Sequence, residues 1–102
     1  MLEQTEVILA VVKAFDTLGI RYYLGGSWAS GAVGKARMTA DVDVVAEVRH
    51  QHVLPLVRML EPVFYIDADM IREALHLNRS FNIIHLSYLY KVDVFINDKK
   101  KE

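Results

Sequence analysis

The sequence predicts an α/β (α+β) domain built around a mixed sheet of about five strands. Three observations lead to this prediction: apolar residues recur at helical spacing near the N-terminus, short alternating runs follow, and helical segments separate most of those runs. Slightly over half of the residues are hydrophobic, so we expect a packed core. The predicted order is helix, strand, helix, strand, helix, strand, helix, strand, strand.

The first predicted helix runs from Glu3 to Leu18 and ends at Gly19, a residue that suits a helix C-cap. Its apolar residues gather on one face at spacings of three and four: Ile8, Val11, Val12, Phe15 and Leu18. A short aromatic strand, Tyr22-Tyr23-Leu24, follows. Gly25-Gly26 ends that strand, and Ser27 can cap a short helix of small residues up to Val33.

The second half begins with an alternating strand from Thr39 to Val45. A helix is predicted from near His50 to Leu60, and Pro55 requires it to begin late or to kink, because proline is best tolerated in the first turn. Phe64 to Ile66 form a third strand. Asp67 can then cap a helix that extends to Leu77.

Two strands close the predicted domain, Phe81 to His85 and Tyr90 to Ile96, most simply as an antiparallel pair. The domain therefore covers residues 1–96, and residues 97–102 form a polar tail. We interpret His85 as a strand residue with a structural hydrogen bond. His50 and His52 are read as a solvated helix start, because no further nitrogen ligand lies near them in the sequence.

Composition excludes several classes of protein. The formal charge is −1, without the basic excess of proteins that coat nucleic acids. There is no cysteine, so disulfides and thiolate metal sites are ruled out. No apolar stretch approaches the roughly 20 residues of a membrane span, and the start lacks a secretion signal. We expect a cytoplasmic protein that does not contact membranes.

Three aspartates on predicted strands carry the main functional signal. Asp41 and Asp43 are two residues apart on one strand, so both carboxylates point to the same face. Asp93 lies in the apolar strand Lys91 to Ile96, where strand propensity disfavours aspartate. If the two strands are neighbours, the carboxylates can meet and bind Mg²⁺ or Mn²⁺, which prefer oxygen ligands. Two metal ions there could clamp a phosphoryl displacement, with Asp93 as the base.

The turn Gly25-Gly26-Ser27 supplies the complementary part of this candidate site. Glycines after a strand allow the main chain to approach a phosphate, and a helix start offers unpaired N–H groups. Arg37 could reach a phosphate oxygen from just before the Asp41 strand. We therefore expect Gly25, Gly26, Ser27 and Arg37 to contact a nucleoside triphosphate.

The order and spacing of these motifs resemble those of a known protein superfamily. Gly25-Gly26-Ser27, then thirteen residues, then Asp41-Val42-Asp43 is similar to the signature of the DNA polymerase beta-like nucleotidyltransferase superfamily. The run Arg37-Met38-Thr39 before Asp41 resembles the form found in small bacterial stand-alone members, including toxin–antitoxin relatives. The similarity extends from Tyr22 to Ile96.

The resemblance implies a nucleotidyltransferase fold with helices packed on one face of the sheet. It also implies that Asp41, Asp43 and Asp93 are metal ligands and that Gly26 and Ser27 bind triphosphate. The implied reaction transfers a nucleoside monophosphate from NTP to a hydroxyl of an acceptor, which could be protein, RNA or a small molecule. Such proteins commonly continue into further helices after the third acid. Two alternatives therefore stay open: a module completed by a homodimer or cognate partner, and an inactive nucleotide-binding remnant.

Overall fold

The first helix, α1, covers Leu2–Leu18 in the computed structural model, which describes residues 2–24 and 41–97 and the side chains of residues 5–24 and 42–97. After β2, a 3-10 turn at His50–His52 leads into α2, Val53–Leu60. The third described helix, α3, is Ala68–Leu77. No helix in these two ranges is long and apolar enough to cross a bilayer.

Five strands form one mixed sheet in the order β1-β2-β5-β4-β3. β2 and β5 are parallel and the other neighbours are antiparallel, which confirms the predicted antiparallel pairing of the last two strands. The strands are β1 at Tyr22–Leu24, β2 at Asp41–Ala46, β3 at Phe64–Tyr65, β4 at Ser80–His85 and β5 at Lys91–Ile96.

The core lies on one face of this sheet because apolar residues occupy alternate positions of the central strands. Val42 and Val44 of β2, with Val92 and Val94 of β5, are each at most 2% exposed. The same cluster includes Phe15 of α1 and buried residues of the other two helices, Leu56 and Ile71 among them. Burial of each such side chain contributes about 1.5–3 kcal/mol. The opposite face of β2 and β5, which we call the outer face, carries Asp43, Val45, Lys91, Asp93 and Phe95.

Local chemistry explains where these helices begin and end. Pro55 is the third residue of α2, so the late start that proline demands is confirmed. The predicted cap of α3 is confirmed as well, since an Asp67 carboxylate oxygen accepts a hydrogen bond of 3.0 Å from the N–H of Asp69. Asn78 ends α3 in the left-handed conformation, at φ 56°, which a helix C-terminus commonly uses.

Some predicted boundaries differ from those observed. β2 continues to Ala46, one residue beyond the prediction, and Thr39 and Ala40 lie outside the described residues. β4 starts at Ser80 instead of Phe81. Asn97, assigned to the polar tail, donates its main-chain N–H to the Ala46 carbonyl at 3.0 Å and so prolongs the contact between β5 and β2.

Candidate functional site

The parallel register of β2 and β5 brings two of the three predicted acids side by side. Asp43 is the register partner of Asp93, and neighbouring strands lie about 4.8 Å apart. Both residues alternate with buried valines, so both side chains belong to the outer face. Asp43 is exposed and Asp93 is half-buried. The two strands are thus neighbours, as the sequence argument required.

Asp41, the third predicted acid, begins β2 and is the register partner of Lys91. Its main chain is described and its side chain is not. The other predicted nucleotide contacts, Gly25, Gly26, Ser27 and Arg37, all lie in the stretch 25–40, outside the described residues. The described part of the predicted site therefore consists of Asp43 and Asp93.

Asn82 extends the row of polar side chains by one strand. It is the register partner of Asp93 on the other side of β5 and is half-buried. Hydrogen-bonded and non-hydrogen-bonded pairs alternate along an antiparallel ladder, and the His85 N–H donates to the Tyr90 carbonyl at 3.0 Å. Counting back three positions makes Asn82 and Asp93 a non-hydrogen-bonded pair, the closer kind, at about 4.5 Å between Cα atoms.

The row Asp43, Asp93, Asn82 therefore crosses three adjacent strands and offers two carboxylates and one amide to the outer face. Lys91 lies two residues before Asp93 on the same face and brings a positive charge to the row. Asn82 was not among the predicted site residues, and Lys91 had no predicted role. The alternation of polar Asn82 between buried Phe81 and Ile83 was the available signal.

The chemistry of this row suits a hard divalent cation, because carboxylate and amide oxygens are the ligands that Mg²⁺ accepts. Among the described side chains, no group of three or more potential carboxylate, imidazole or thiolate ligands is close enough to hold a metal ion. Of the three predicted acids, only Asp43 and Asp93 have described side chains. The oxygen atoms of Asp43, Asp93 and Asn82 are suitable Mg²⁺ ligands. They would form part of a site that needs further ligands from substrate phosphates or from Asp41.

His85 has the structural role that was expected for it. Its Nδ1 atom accepts hydrogen bonds from the main-chain N–H groups of Ser87 and Tyr88, each at 3.1 Å. The ring stacks on Tyr88 with centroids 4.7 Å apart and meets the edge of Phe64 at 5.0 Å. The imidazole thus holds the turn between β4 and β5.

His52 is less exposed than His50 in the turn that begins the second helical segment. It is half-buried, and its Nδ1 atom accepts a 3.0 Å hydrogen bond from the main-chain N–H of Arg49. Burial, and then the charge of Arg49, lower the pKa of His52 from its ordinary value of 6.5. Both histidines therefore lie at a helix start as predicted, with His50 exposed and His52 partly exposed.

The chain was compared with models of protein families, with curated proteins and with solved structures, and none of them matches it.

Proposed function

We propose that this protein is a metal-dependent nucleotidyltransferase that moves a nucleoside monophosphate from a nucleoside triphosphate to a hydroxyl group of an acceptor. The observation that supports the proposal is the register pairing of Asp43 with Asp93 on the outer face. Like charges on adjacent positions of neighbouring strands repel each other, and a divalent cation bound between Asp43 and Asp93 would offset that repulsion. Sequence motifs supply the rest of the argument: the Gly25-Gly26-Ser27 turn and Asp41.

Each residue has a stated part in the proposed reaction. Asp93 accepts the proton of the acceptor hydroxyl, whose oxygen then attacks the α-phosphorus of the triphosphate. The new bond joins that oxygen to phosphorus, and the bond to the bridging oxygen breaks, so that pyrophosphate leaves. Asp41, Asp43 and Asp93 would hold Mg²⁺ or Mn²⁺, which would neutralise charge on the phosphate oxygens. The Ser27 turn and Arg37 position the triphosphate.

Asn82 adds a contact that the motifs alone do not supply. Its amide lies beside the Asp93 carboxylate, on the side of β5 away from Asp43. An amide there can orient Asp93 or bind the acceptor hydroxyl as it approaches the base. The acceptor would therefore approach from the β4 side and the metal-bound nucleotide from the β2 side.

The first experiment measures nucleotide binding. Calorimetric titration of wild-type protein with a non-hydrolysable ATP analogue is done with Mg²⁺ or Mn²⁺ and repeated with EDTA. We expect metal-dependent binding that Asp43→Asn and Asp93→Asn each weaken at least tenfold. Asp69→Asn is the matched control, because this aspartate is 89% exposed on α3 and pairs with Arg72. Equal binding, or equal absence of binding, in wild type and Asp43→Asn would sink the proposal.

The second experiment measures turnover. Protein, metal and α-labelled NTPs are incubated with candidate protein, RNA and small-molecule acceptors, and both labelled product and pyrophosphate are measured. Label transfer that Asp93→Asn abolishes supports the transferase. Metal-dependent binding without any transfer favours the nucleotide-binding remnant, and transfer that appears only with a co-purified protein favours the partner-dependent module.

A further inference from the structure

The outer face carries a second row of side chains beside the row that contains Asp43 and Asp93. Tyr23 of β1 is the register partner of Val45, and Val45 is the register partner of Phe95. Val45 and Phe95 each follow one of the two aspartates by two residues, so they share the face of the aspartates. Tyr23 lies opposite Val45 and therefore belongs to the same face. We call Tyr23, Val45 and Phe95 the aromatic row, which lies beside the proposed metal site.

The sizes of the three side chains make the aromatic row a shallow trough. Val45 is half-buried, whereas Tyr23 and Phe95 on either side of it are 58% and 42% exposed. Neighbouring strands lie about 4.5–5.5 Å apart, so roughly 10 Å separates the Cα atoms of the two aromatic residues. The small Val45 side chain forms the floor, and the two larger rings stand at the sides. A planar ligand that lies on Val45 can therefore contact both rings.

The chemistry of the aromatic row favours a ligand with a flat ring. A ligand that covers Tyr23 and Phe95 removes their exposed apolar surface from water, which is favourable. Nucleobases stack on aromatic side chains, and every base presents a flat face for such a contact. Ser80, the register partner of Phe95 on β4, is exposed at the end of the row and offers a hydroxyl to a polar edge of a base.

The distance between the aromatic row and the aspartates suits a nucleotide. Two residues of a strand span about 7 Å, which is the separation of Val45 from Asp43 and of Phe95 from Asp93 along their strands. One sugar ring separates the base of a nucleotide from its α-phosphate, and a ribose can bridge this interval. The aromatic row also lies towards the carboxyl ends of the parallel strands β2 and β5, where ligands of open α/β sheets bind. A nucleotide with its α-phosphate at the two aspartates would thus place its base on the row.

We infer that the aromatic row binds the base of a nucleotide by stacking. The choice of a nucleotide as the ligand rests on the proposed function. Purines bind more tightly than pyrimidines, because a larger ring covers more of Tyr23 and Phe95. Stacking tolerates any base, so the row selects for ring size and not for one pattern of hydrogen bonds. Binding of the base requires no metal ion, because none of the three side chains is a metal ligand.

The first experiment compares two ligands that differ only in the base, AMP and ribose 5-phosphate. Each is titrated into ¹⁵N-labelled protein at pH 7 with EDTA, so that no divalent metal contributes. We expect AMP to shift the amide signals of Tyr23, Val45 and Phe95 in a saturable manner and to bind about fivefold or more tightly than ribose 5-phosphate. CMP, with the smaller ring, should have an intermediate affinity.

Substitutions in the aromatic row test whether its rings cause this preference. Phe95→Leu and Tyr23→Leu each keep an apolar side chain and remove the ring, so each should weaken AMP binding by about fivefold or more and leave ribose 5-phosphate binding unchanged. Tyr65→Leu is the matched control, because this tyrosine is 51% exposed on the edge strand β3 and pairs with Ile84, away from the row. Equal affinities for AMP and ribose 5-phosphate, or an AMP affinity that both row variants leave unchanged, would overturn the inference. A wild-type dimer that Phe95→Asp converts to a monomer would overturn it too, because a second copy would then cover the row.

A titration with inorganic triphosphate and Mg²⁺ separates this inference from the proposed function. This ligand has no base, so it should bind Phe95→Leu as it binds the wild type and should lose affinity in Asp43→Asn. Metal-dependent triphosphate binding without a preference for AMP would refute the aromatic row and keep the transferase. A preference for AMP that Phe95→Leu abolishes, without metal-dependent triphosphate binding, would support the row and count against the transferase.

Discussion

Asp43 and Asp93 face each other across the only parallel strand pair of the described sheet, although fifty positions separate them in the sequence. Their side chains share the outer face with Asn82, while the valines on either side of each aspartate are buried. Packing of the buried valines thus sets the positions of the two strands, and the strands set the positions of the two aspartates. This relationship can be tested through stability before any substrate is known.

Asp93→Asn should stabilise the metal-free protein and abolish its response to metal. Removing one of two like charges on neighbouring strands relieves their repulsion, and interactions between exposed charges amount to about 0.2–1 kcal/mol. Mg²⁺ or Mn²⁺ that binds only the folded state raises the melting temperature of the wild type. Urea unfolding in EDTA and melting curves across millimolar metal measure the two effects. Asp69→Asn is the control, and a variant that still responds to metal as the wild type does would contradict the prediction.

Acidification should destabilise the protein through His52. Its folded-state pKa lies below the unfolded value of 6.5, so the unfolded chain binds the proton first as pH falls. The stability contribution is thus present above pH 6.5 and is lost as pH decreases from there towards the folded pKa. Urea unfolding between pH 8 and pH 5 should show that the unfolding free energy changes less with pH in His52→Gln than in wild type. His50→Gln should keep the pH dependence of the wild type, and an unchanged pH dependence in His52→Gln would refute the assignment.

Alkaline solution should destabilise the protein through Tyr22. Burial and Asp16 raise the pKa of Tyr22 above 10.0, so the unfolded chain releases this proton first as pH rises, and stability falls above about pH 10. Absorbance at 295 nm follows phenolate formation. Tyr22→Phe should reduce the loss of unfolding free energy above about pH 10, and Asp16→Asn should reduce it only in part because burial is the larger cause. An unchanged loss in Tyr22→Phe would assign the alkaline destabilisation to another residue.

The two-residue strand β3 offers a matched pair of substitutions. Phe64 is 1% exposed and packs edge-on against the His85 ring, whereas its neighbour Tyr65 is 51% exposed. Phe64→Ala should cost about 3–5 kcal/mol of unfolding free energy, because it removes buried area and leaves a cavity. Tyr65→Ala should cost less than about 1 kcal/mol. Denaturant unfolding measures both, and similar costs would mean that β3 does not hold the edge of the core.

The periodicity of apolar residues predicted the strands and helices well, because burial of one face of each element determines that periodicity. The alternation around Asp43 and Asp93 required both to leave the core, and the structure places them on the outer face. The helix cap at Asp67 was readable for the same reason, since one side chain satisfies a local main-chain donor. Such features depend on neighbours within a few residues.

Features formed by residues distant in sequence could not be predicted in this way. Asn82 joins the row of Asp93 only through the register of two strands, which no local pattern specifies. The hydrogen bond that His52 accepts from the Arg49 N–H within a 3-10 turn was not predicted, because the spacing of two histidines does not reveal that geometry.

The central position of β5 also has a consequence for synthesis on the ribosome. β2 has a parallel neighbour only after residues 91–96 have been made, and β4 then lies between β5 and β3. Long-range pairing of this kind is slow because a large loop must close first. Until β5 emerges from the exit tunnel, β2 has no hydrogen-bonding partner along that edge, so the nascent chain exposes an unpaired strand during that interval.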